Sequence, residues 1–199
     1  NMFGNGSILP RGTLREPLSN LNRAGLFLLT KCNQSSTISR ATLCDALQKR
    51  APLAPIVEST HKPCNFLEIA DWYKNDITKA LPLEALKNQS VMAFSAIGNP
   101  SSFEQTLAAE GLNIEEAIRY PDHHDYGMVE MQYIMDRAVK KGVKALVTTG
   151  KDAVKIPTEF IYLTREVPLY ILNMEIQITS GQEEFAAKIR EAIEKEIKK

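Results

Sequence analysis

The sequence contains few cysteines, no surplus of either charge and no long hydrophobic run. Cys32, Cys44 and Cys64 make an odd number without a Cys-x-x-Cys pair, which argues against a zinc ribbon or a disulfide framework and for reduced thiols in a cytosolic setting. Lysine plus arginine and aspartate plus glutamate each total 24, so a general nucleic-acid binder, which normally carries a basic excess, is disfavoured. No apolar run approaches the roughly 20 residues of a membrane-spanning helix. We expect a protein that is soluble or at most peripheral to a membrane.

Apolar runs of strand length alternate with segments of helical periodicity. The strand-like runs are 25–29, 56–60, 91–97, 145–148 and 169–172, and the helix-like segments are 39–49, 101–111, 128–142 and the tail from 182. Ser101 and Glu104 have the spacing of a capping box, and Gly111 stands where a left-handed residue would end that helix. The alternation predicts an α/β fold class, with a Rossmann-like, mostly parallel sheet and flanking helices.

Residues 61–89 interrupt the alternation and lose helical periodicity. Their apolar residues suggest short strands or a hairpin around a turn at 74–76. We therefore expect a first lobe at 1–62, a β-hairpin-like linker at 63–89 and a C-terminal α/β lobe at 90–199, whose terminal helix packs back on the first lobe. Because the chain opens on a glycine-rich turn with no preceding strand or cap, we expect the first lobe to be incomplete.

Two polar loops follow predicted strands at the edge of the sheet where α/β proteins bind ligands. Asp122, His123, His124 and Asp125 precede a helix, and two of the three histidines of the chain are among them. In one interpretation a histidine exchanges a proton near neutral pH with a carboxylate partner. In the other, the aspartates cap the helix while the histidines pack or face solvent. A metal site is disfavoured, because no third ligand has an obvious spacing.

The second loop is Thr148-Thr149-Gly150-Lys151-Asp152. Its lysine either contacts a phosphate or forms an exposed ion pair with Asp152 at a helix start. Near the N-terminus, the turn around Asn5 either presents amides to an anion or is a plain turn. Arg15 and Glu16 precede Pro17, which holds Glu16 extended and gives the neighbouring side chains a fixed direction.

Four motifs, in order, resemble the tetraacyldisaccharide 4'-kinase family of lipid A biosynthesis. They are Gly4-Asn5-Gly6-x-x-Leu9-Pro10-x-Gly12-x-Leu14-Arg15-Glu16-Pro17, Ile97-Gly98-Asn99-Pro100-x-x-Phe103, Asp122-His123-His124-x-Tyr126 and Thr148-Thr149-x-Lys151-Asp152-Ala153-Val154-Lys155. The match spans roughly two-thirds of a typical member. The resemblance implies a magnesium-dependent kinase of two α/β lobes joined by a two-stranded linker, which moves the γ-phosphate of ATP to the 4'-hydroxyl of a tetraacyldisaccharide 1-phosphate. It also implies a cytoplasmic enzyme, peripheral at the inner face of the bacterial inner membrane.

The resemblance also assigns roles to single residues. His123 would pair with the catalytic aspartate of the other lobe, which takes the proton of the attacking hydroxyl. Arg15 and Glu16 match an Arg-Glu pair near the phosphates and substrate, and Asp122 and Lys151 match positions in the same cleft. Asn5 completes the set of residues that we expect to bind substrate or phosphate.

Some family features are absent from the sequence. The phosphate-binding Gly-x-x-x-x-Gly-Lys-Ser/Thr loop does not occur in the 199 residues, so we expect this chain alone to be inactive and most magnesium ligands to lie outside it. Gly150 stands where the family usually has glutamate, which puts the role of that turn in question.

Two other functions compete with the kinase hypothesis. Asp-His-His also occurs in metal-dependent phosphoesterases, but these need further aspartates, commonly Asp-x-Asp, and the sequence has none. A non-catalytic α/β module that binds a nucleotide or sugar fits the fold equally well but leaves the four ordered motifs unexplained.

Overall fold

A computed structural model describes residues 6–34, 37–162 and 166–197 of the chain. Its strands are β1 (Phe27–Leu29), β2 (Ile56–Glu68), β3 (Ser90–Ser95), β4 (Asn113–Arg119), β5 (Ala145–Thr149) and β6 (Leu169–Ser180). Its α-helices are α1 (Thr37–Gln48), α2 (Ile69–Tyr73), α3 (Pro100–Ala109), α4 (Met128–Lys141), α5 (Gly150–Ala153), α6 (Thr158–Tyr162) and α7 (Gln182–Ile197). Short 3-10 helices occupy Leu18–Arg23, Cys32–Gln34, Ile77–Lys79 and Leu83–Leu86.

The six strands have the order β1-β2-β6-β5-β3-β4. The pairs β1/β2, β5/β6, β3/β5 and β3/β4 are all parallel. The chain divides into two compact units, one formed by Asn1–Lys62 with Ile176–Lys199 and the other by Pro63–Glu175. It passes from one unit to the other within β2 and returns within β6. The predicted α/β class with a mostly parallel sheet is confirmed.

The central strands of the second unit are buried on both faces. In β3, Met92 and Phe94 belong to one apolar cluster, whereas Val91 and Ala93 belong to a second. Because successive side chains of a strand point to opposite faces, a central strand contributes side chains to two apolar cores at once. This explains why β3 appears in the sequence as an uninterrupted apolar run. The first unit has its own core, which includes Phe27, Leu43, Leu47, Ala51 and Ala54.

The expected hairpin around residues 74–76 is wrong. Helix α2 follows β2 directly, and one isolated antiparallel bridge joins Phe66 to Leu81. Ile69 is fully buried, and the Tyr73 hydroxyl donates to the carbonyl oxygen of Ala153 at 2.7 Å. Ile69, Trp72 and Tyr73 have the i, i+3, i+4 spacing of one helix face, so tertiary contacts select a helix where the short apolar pattern is ambiguous.

Helix ends position the loops of the second unit. The predicted capping box of Ser101 and Glu104 is wrong, because the Asn99 side chain accepts the Ser102 amide at 3.2 Å and Glu104 instead pairs with Arg119. Gly111 has the expected left-handed backbone, with φ +82°. Within the described ranges, none of the helices has the length and apolar content required to cross a membrane.

Candidate functional site

Three loops of the second unit lie next to one another at one edge of the sheet. β3 pairs with β4 on one side and with β5 on the other, and all three strands run in the same direction. Their carboxyl ends are therefore neighbours, and this is the edge at which open α/β sheets bind ligands. The loops are 96–99 after β3, 120–127 after β4 and helix α5 after β5. They contain Asp122, His123 and Lys151.

Backbone hydrogen bonds attach loop 120–127 to the end of β3. The Tyr120 amide donates to the Ser95 carbonyl oxygen at 2.9 Å, and the His123 amide donates to the Ala96 carbonyl oxygen at 3.3 Å. His123 has φ +65°, in the left-handed region that non-glycine residues rarely adopt. Such a conformation persists only where neighbouring contacts hold it.

The two adjacent histidines have different surroundings. The His124 ring stacks on Tyr120 with centroids 4.7 Å apart, meets the edge of Tyr126, and places Nε2 2.9 Å from Glu130 Oε1. The His123 side chain is 89% exposed, and its Nε2 lies 3.8 Å from Asp122 Oδ2. Packing with aromatic rings therefore accounts for the position of His124, whereas His123 presents its imidazole to solvent at the edge formed by the carboxyl ends of β3, β4 and β5.

Asp122 is held close to the backbone of loop 96–99. Its Oδ1 accepts the His123 amide at 3.1 Å. A Cβ atom built on Gly98 would lie 3.3 Å from Asp122 Oδ2, a tighter contact than side chains normally make. The glycine in the Ile97-Gly98-Asn99-Pro100 motif thus leaves room for the Asp122 carboxylate.

Asp152 is fully buried, so of the two alternatives for this loop the exposed ion pair between Lys151 and Asp152 is wrong. Its Oδ1 accepts the Ala96 amide at 2.7 Å and the Tyr126 hydroxyl at 3.0 Å, and its Oδ2 accepts the Thr149 hydroxyl at 2.6 Å. Burial, and then the charge of Asp152, raise the pKa of Tyr126 far above its ordinary value, so the phenol stays protonated and donates.

Sequence reasoning missed the part that Asp152 and Tyr126 play. Thr149 and Asp152 have the spacing of a capping box, and the Thr149 hydroxyl does accept the Asp152 amide at 3.2 Å. That spacing was the available signal. Lys151 is exposed on α5, and a Cβ on Gly150 would meet Trp72 Cζ2 at 3.6 Å, an ordinary contact.

Arg15 and Glu16 lie in the first unit, and both are exposed. Glu16 accepts the Asn20 amide group at 3.1 Å and pairs with Arg23. These two interactions, with the Asn20 hydrogen bond first, lower the pKa of Glu16 below its ordinary value. Arg15 and Glu16 line an open groove of about 630 Å³, and its other lining residues also come from the segment that runs from Leu14 to Phe27. Asn5 lies outside the described residues.

The site in the second unit combines an exposed imidazole, a neighbouring carboxylate and an exposed lysine. An imidazole can accept or orient a proton, and a lysine can contact an anionic group. Over residues 6–34, 37–162 and 166–197, no three histidine, cysteine, aspartate or glutamate side chains come close enough together to hold a metal ion.

Comparison with known proteins gives a consistent result over most of the chain. A family model described as tetraacyldisaccharide-1-P 4'-kinase, LpxK, matches residues 1–194. A tetraacyldisaccharide 4'-kinase of Elusimicrobium minutum is 37% identical over 185 residues, covering 93% of this chain and 46% of the relative. The corresponding protein of Halothermothrix orenii is 33% identical over 181 residues, covering 88% of this chain and 47% of the relative.

A crystal structure of LpxK from Aquifex aeolicus in complex with ATP has the same fold. The TM-score is 0.56 at 23% identity, and the similarity covers 95% of this chain and 49% of that one. The chain thus spans about half the length of the relatives that it matches, less than the expected two-thirds. Because the family model matches residues 1–194 of the 199-residue chain, the chain belongs to the tetraacyldisaccharide 4'-kinase family.

Proposed function

We propose that the protein takes part in transfer of the γ-phosphate of ATP to the 4'-hydroxyl of a tetraacyldisaccharide 1-phosphate, a lipid A precursor. The observation that carries the proposal is the family match over residues 1–194, with two curated relatives of that name at 33% and 37% identity. In this reaction the hydroxyl loses its proton, its oxygen attacks the γ-phosphorus, and ADP leaves.

His123 is the residue to which we assign catalytic work. Its exposure on a loop held to β3 supports this role, since a group acting on another lobe or on substrate must be accessible. In the proposed mechanism a family aspartate outside these 199 residues takes the hydroxyl proton, while His123 orients that aspartate and tunes its basicity. His124 has no such role, because its ring already stacks on Tyr120 and its Nε2 already lies within hydrogen-bond distance of Glu130.

Arg15, Glu16, Asn5, Asp122 and Lys151 are the proposed contacts to phosphate and substrate. Arg15 and Lys151 are exposed cations suited to phosphate oxygens. Asp122 Oδ2 lies 3.8 Å from His123 Nε2, so this carboxylate could orient the imidazole or accept a hydrogen bond from a substrate hydroxyl.

Magnesium is expected from the resemblance but finds no fitting ligand set in the part of the chain that the structure describes. The nearest carboxylates of the site do not form a cluster of three. Asp152, the buried carboxylate, uses both oxygens to accept protein donors. We therefore route no step of the mechanism through a metal ion held by these residues.

We further propose that these 199 residues alone neither bind ATP tightly nor transfer phosphate. The reason is that the sequence contains no Gly-x-x-x-x-Gly-Lys-Ser/Thr loop to hold the phosphates. Titration calorimetry with ATP and a phosphotransfer assay on the purified chain should both be negative, and measurable turnover would contradict the proposal.

The proposed place of action is the cytoplasmic face of the bacterial inner membrane, where an acylated disaccharide resides. Fractionation of cells that express the complete gene product should recover it partly with inner membranes and release it at high salt or alkaline pH, as expected for a peripheral protein.

The experiment that tests the function uses the complete gene product that contains this sequence. It is incubated with ATP labelled in the γ-phosphate and with tetraacyldisaccharide 1-phosphate, and the lipid product is analysed for the position of the new phosphate. Label on the 4'-oxygen supports the proposal. A labelled 1-position, label on another acceptor, or hydrolysis of a generic phosphodiester would overturn it.

A further inference from the structure

The proposed mechanism leaves the fully buried carboxylate of Asp152 without a role. Three donors converge on Asp152, from the end of β3 (Ala96), from loop 120–127 (Tyr126) and from the end of β5 (Thr149), at 2.6 to 3.0 Å. Burying a carboxylate costs several kcal/mol unless hydrogen bonds compensate. The carboxylate of Asp152 therefore fixes three loops at one point, which an apolar side chain could not do.

Two routes lead from Asp152 to the loop that carries the histidines. In the first, the backbone of Ala96 connects them directly, since the Ala96 N–H donates to Asp152 while the Ala96 carbonyl oxygen accepts a hydrogen bond from the His123 amide. In the second, the Tyr126 hydroxyl binds Asp152 while the Tyr126 ring packs against Tyr120 and His124.

His123 depends on such support more than a packed residue would. Because its side chain is 89% exposed, the imidazole is positioned by its backbone and not by packing. That backbone has φ +65°, which an isolated loop would rarely populate.

We propose that Asp152 is a positioning residue for phosphoryl transfer, holding the His123 loop in its productive geometry through Ala96 and Tyr126. This inference rests on the proposed function of His123. Asp152 touches neither substrate nor reacting atoms, and it acts only through the position of the loop.

Asp152→Asn in the complete gene product is the principal variant. The amide oxygen can still accept from the Ala96 amide and the Tyr126 hydroxyl, but the side chain loses the charge that strengthens these hydrogen bonds, and its nitrogen cannot accept from the Thr149 hydroxyl. Small displacements of a catalytic group are costly, so kcat should fall by about 10- to 100-fold. KM for both substrates should change less than kcat, because Asp152 itself contacts no substrate.

A double-mutant cycle separates positioning from general damage. If Asp152 acts through His123, Asp152→Asn should lower kcat by less than about twofold in a His123→Ala background. The inference would be overturned if the kcat losses of the two single variants multiplied in full in the double variant, or if the Asp152→Asn enzyme had wild-type kcat. Leu107→Ala, in the other apolar cluster of the same unit, is the matched control. It should destabilise the fold and leave kcat within about twofold of wild type.

Amide hydrogen exchange gives a readout that does not depend on activity. Asp152→Asn should accelerate exchange at Ala96 and His123 by at least about tenfold, and unchanged exchange there would overturn the inference. If His123→Ala retains wild-type kcat, the catalytic role of His123 fails, and exchange alone then decides whether Asp152 holds the loop. Should Asp152→Asn not fold, Tyr126→Phe, which removes one donor and keeps the ring, is tested in the same cycle. An unchanged kcat for Tyr126→Phe would then overturn the inference.

Discussion

Two neighbouring histidines show how little residue type says about role. His124 is held between Tyr120, Tyr126 and Glu130, whereas His123 has an exposed ring and a strained backbone. Neighbouring side chains of a loop diverge, so one faced the protein and the other solvent. Only the aromatic contacts, contributed by Tyr120 and Tyr126 on either side of the histidine pair, decide which.

The packed histidine should matter for stability. His124→Ala removes an aromatic stack and a hydrogen bond to Glu130, and we expect a loss of about 1–2 kcal/mol in the free energy of unfolding. His123→Ala, at an exposed position, should cost less than about 0.5 kcal/mol. Urea denaturation of both variants measures the difference, and an equal or reversed order would show that the assignment of the two rings is wrong.

Gly98 tests how closely the Asp122 carboxylate must approach loop 96–99. Gly98→Ala would place a Cβ 3.3 Å from Asp122 Oδ2 and displace that carboxylate by a few tenths of an ångström. We expect kcat/KM to fall by about three- to tenfold. Gly25→Ala is the control, because its Cβ would meet no atom within 4 Å. If both variants have wild-type kinetics, the position of Asp122 is unimportant for the reaction.

A carboxylate on β4 connects that strand to helix α4. Glu116 Oε1 accepts from Arg137 Nε at 2.6 Å, and Oε2 lies 3.4 Å from Lys141 Nζ. The Arg137 hydrogen bond is the main cause of the lowered pKa of Glu116. A carboxyl whose pKa is lower in the folded state stabilises the protein above its unfolded pKa, near 4.5, and loses that contribution as the pH falls through the folded value.

Glu116→Gln should therefore destabilise the protein at neutral pH and matter less in acid. Because the Glu116 side chain is still 20% exposed, we expect about 1 kcal/mol at pH 7. The difference from wild type should shrink as the pH falls from about 5 towards 3, as followed by urea midpoints. A difference that stays constant with pH would mean that packing, and not charge, holds β4 to α4.

Two glycines end elements with left-handed backbones but have different neighbours. Gly142, after α4, has φ +65° and open space around its Cβ position. Gly181, between β6 and α7, has φ +76°, and its Cβ would lie 3.1 Å from the Ile56 carbonyl oxygen and 3.2 Å from Val57 Cα.

Alanine at these positions should separate conformational strain from steric clash. Gly142→Ala should cost about 1 kcal/mol through backbone conformation alone. Gly181→Ala adds a clash with the backbone of β2 and should cost more, about 2–3 kcal/mol. Thermal or urea unfolding of the two variants compares them directly, and equal costs would show that β2 yields without penalty.

Much of the chain could be predicted from the pattern of its residues. The runs that became β3 and β5 are covered on both faces, so their uninterrupted apolar character was informative. The prediction for residues 69–89 was wrong because an apolar pattern of a few residues fits a strand and a helix equally. Packing on the core selected α2. β2 and β6 extend beyond their apolar cores into polar residues, so only their first parts were visible in the sequence.

The site was partly predictable for a related reason. Loops after parallel strands meet at one edge, so the proximity of loops 96–99, 120–127 and α5 follows from strand order. The buried hydrogen-bond cluster around Asp152 did not follow, because two of its three donors, Ala96 and Tyr126, come from distant parts of the sequence. Acidic residues are usually exposed, and only the Thr149-x-x-Asp152 spacing hinted otherwise.

The most direct test of the account compares wild-type and His123→Ala forms of the complete gene product in phosphate transfer from ATP to tetraacyldisaccharide 1-phosphate. We predict that kcat falls by at least about 100-fold while KM for the disaccharide changes by less than about threefold. A variant that keeps wild-type kcat, or that loses activity only through a higher KM, would contradict the catalytic role of His123.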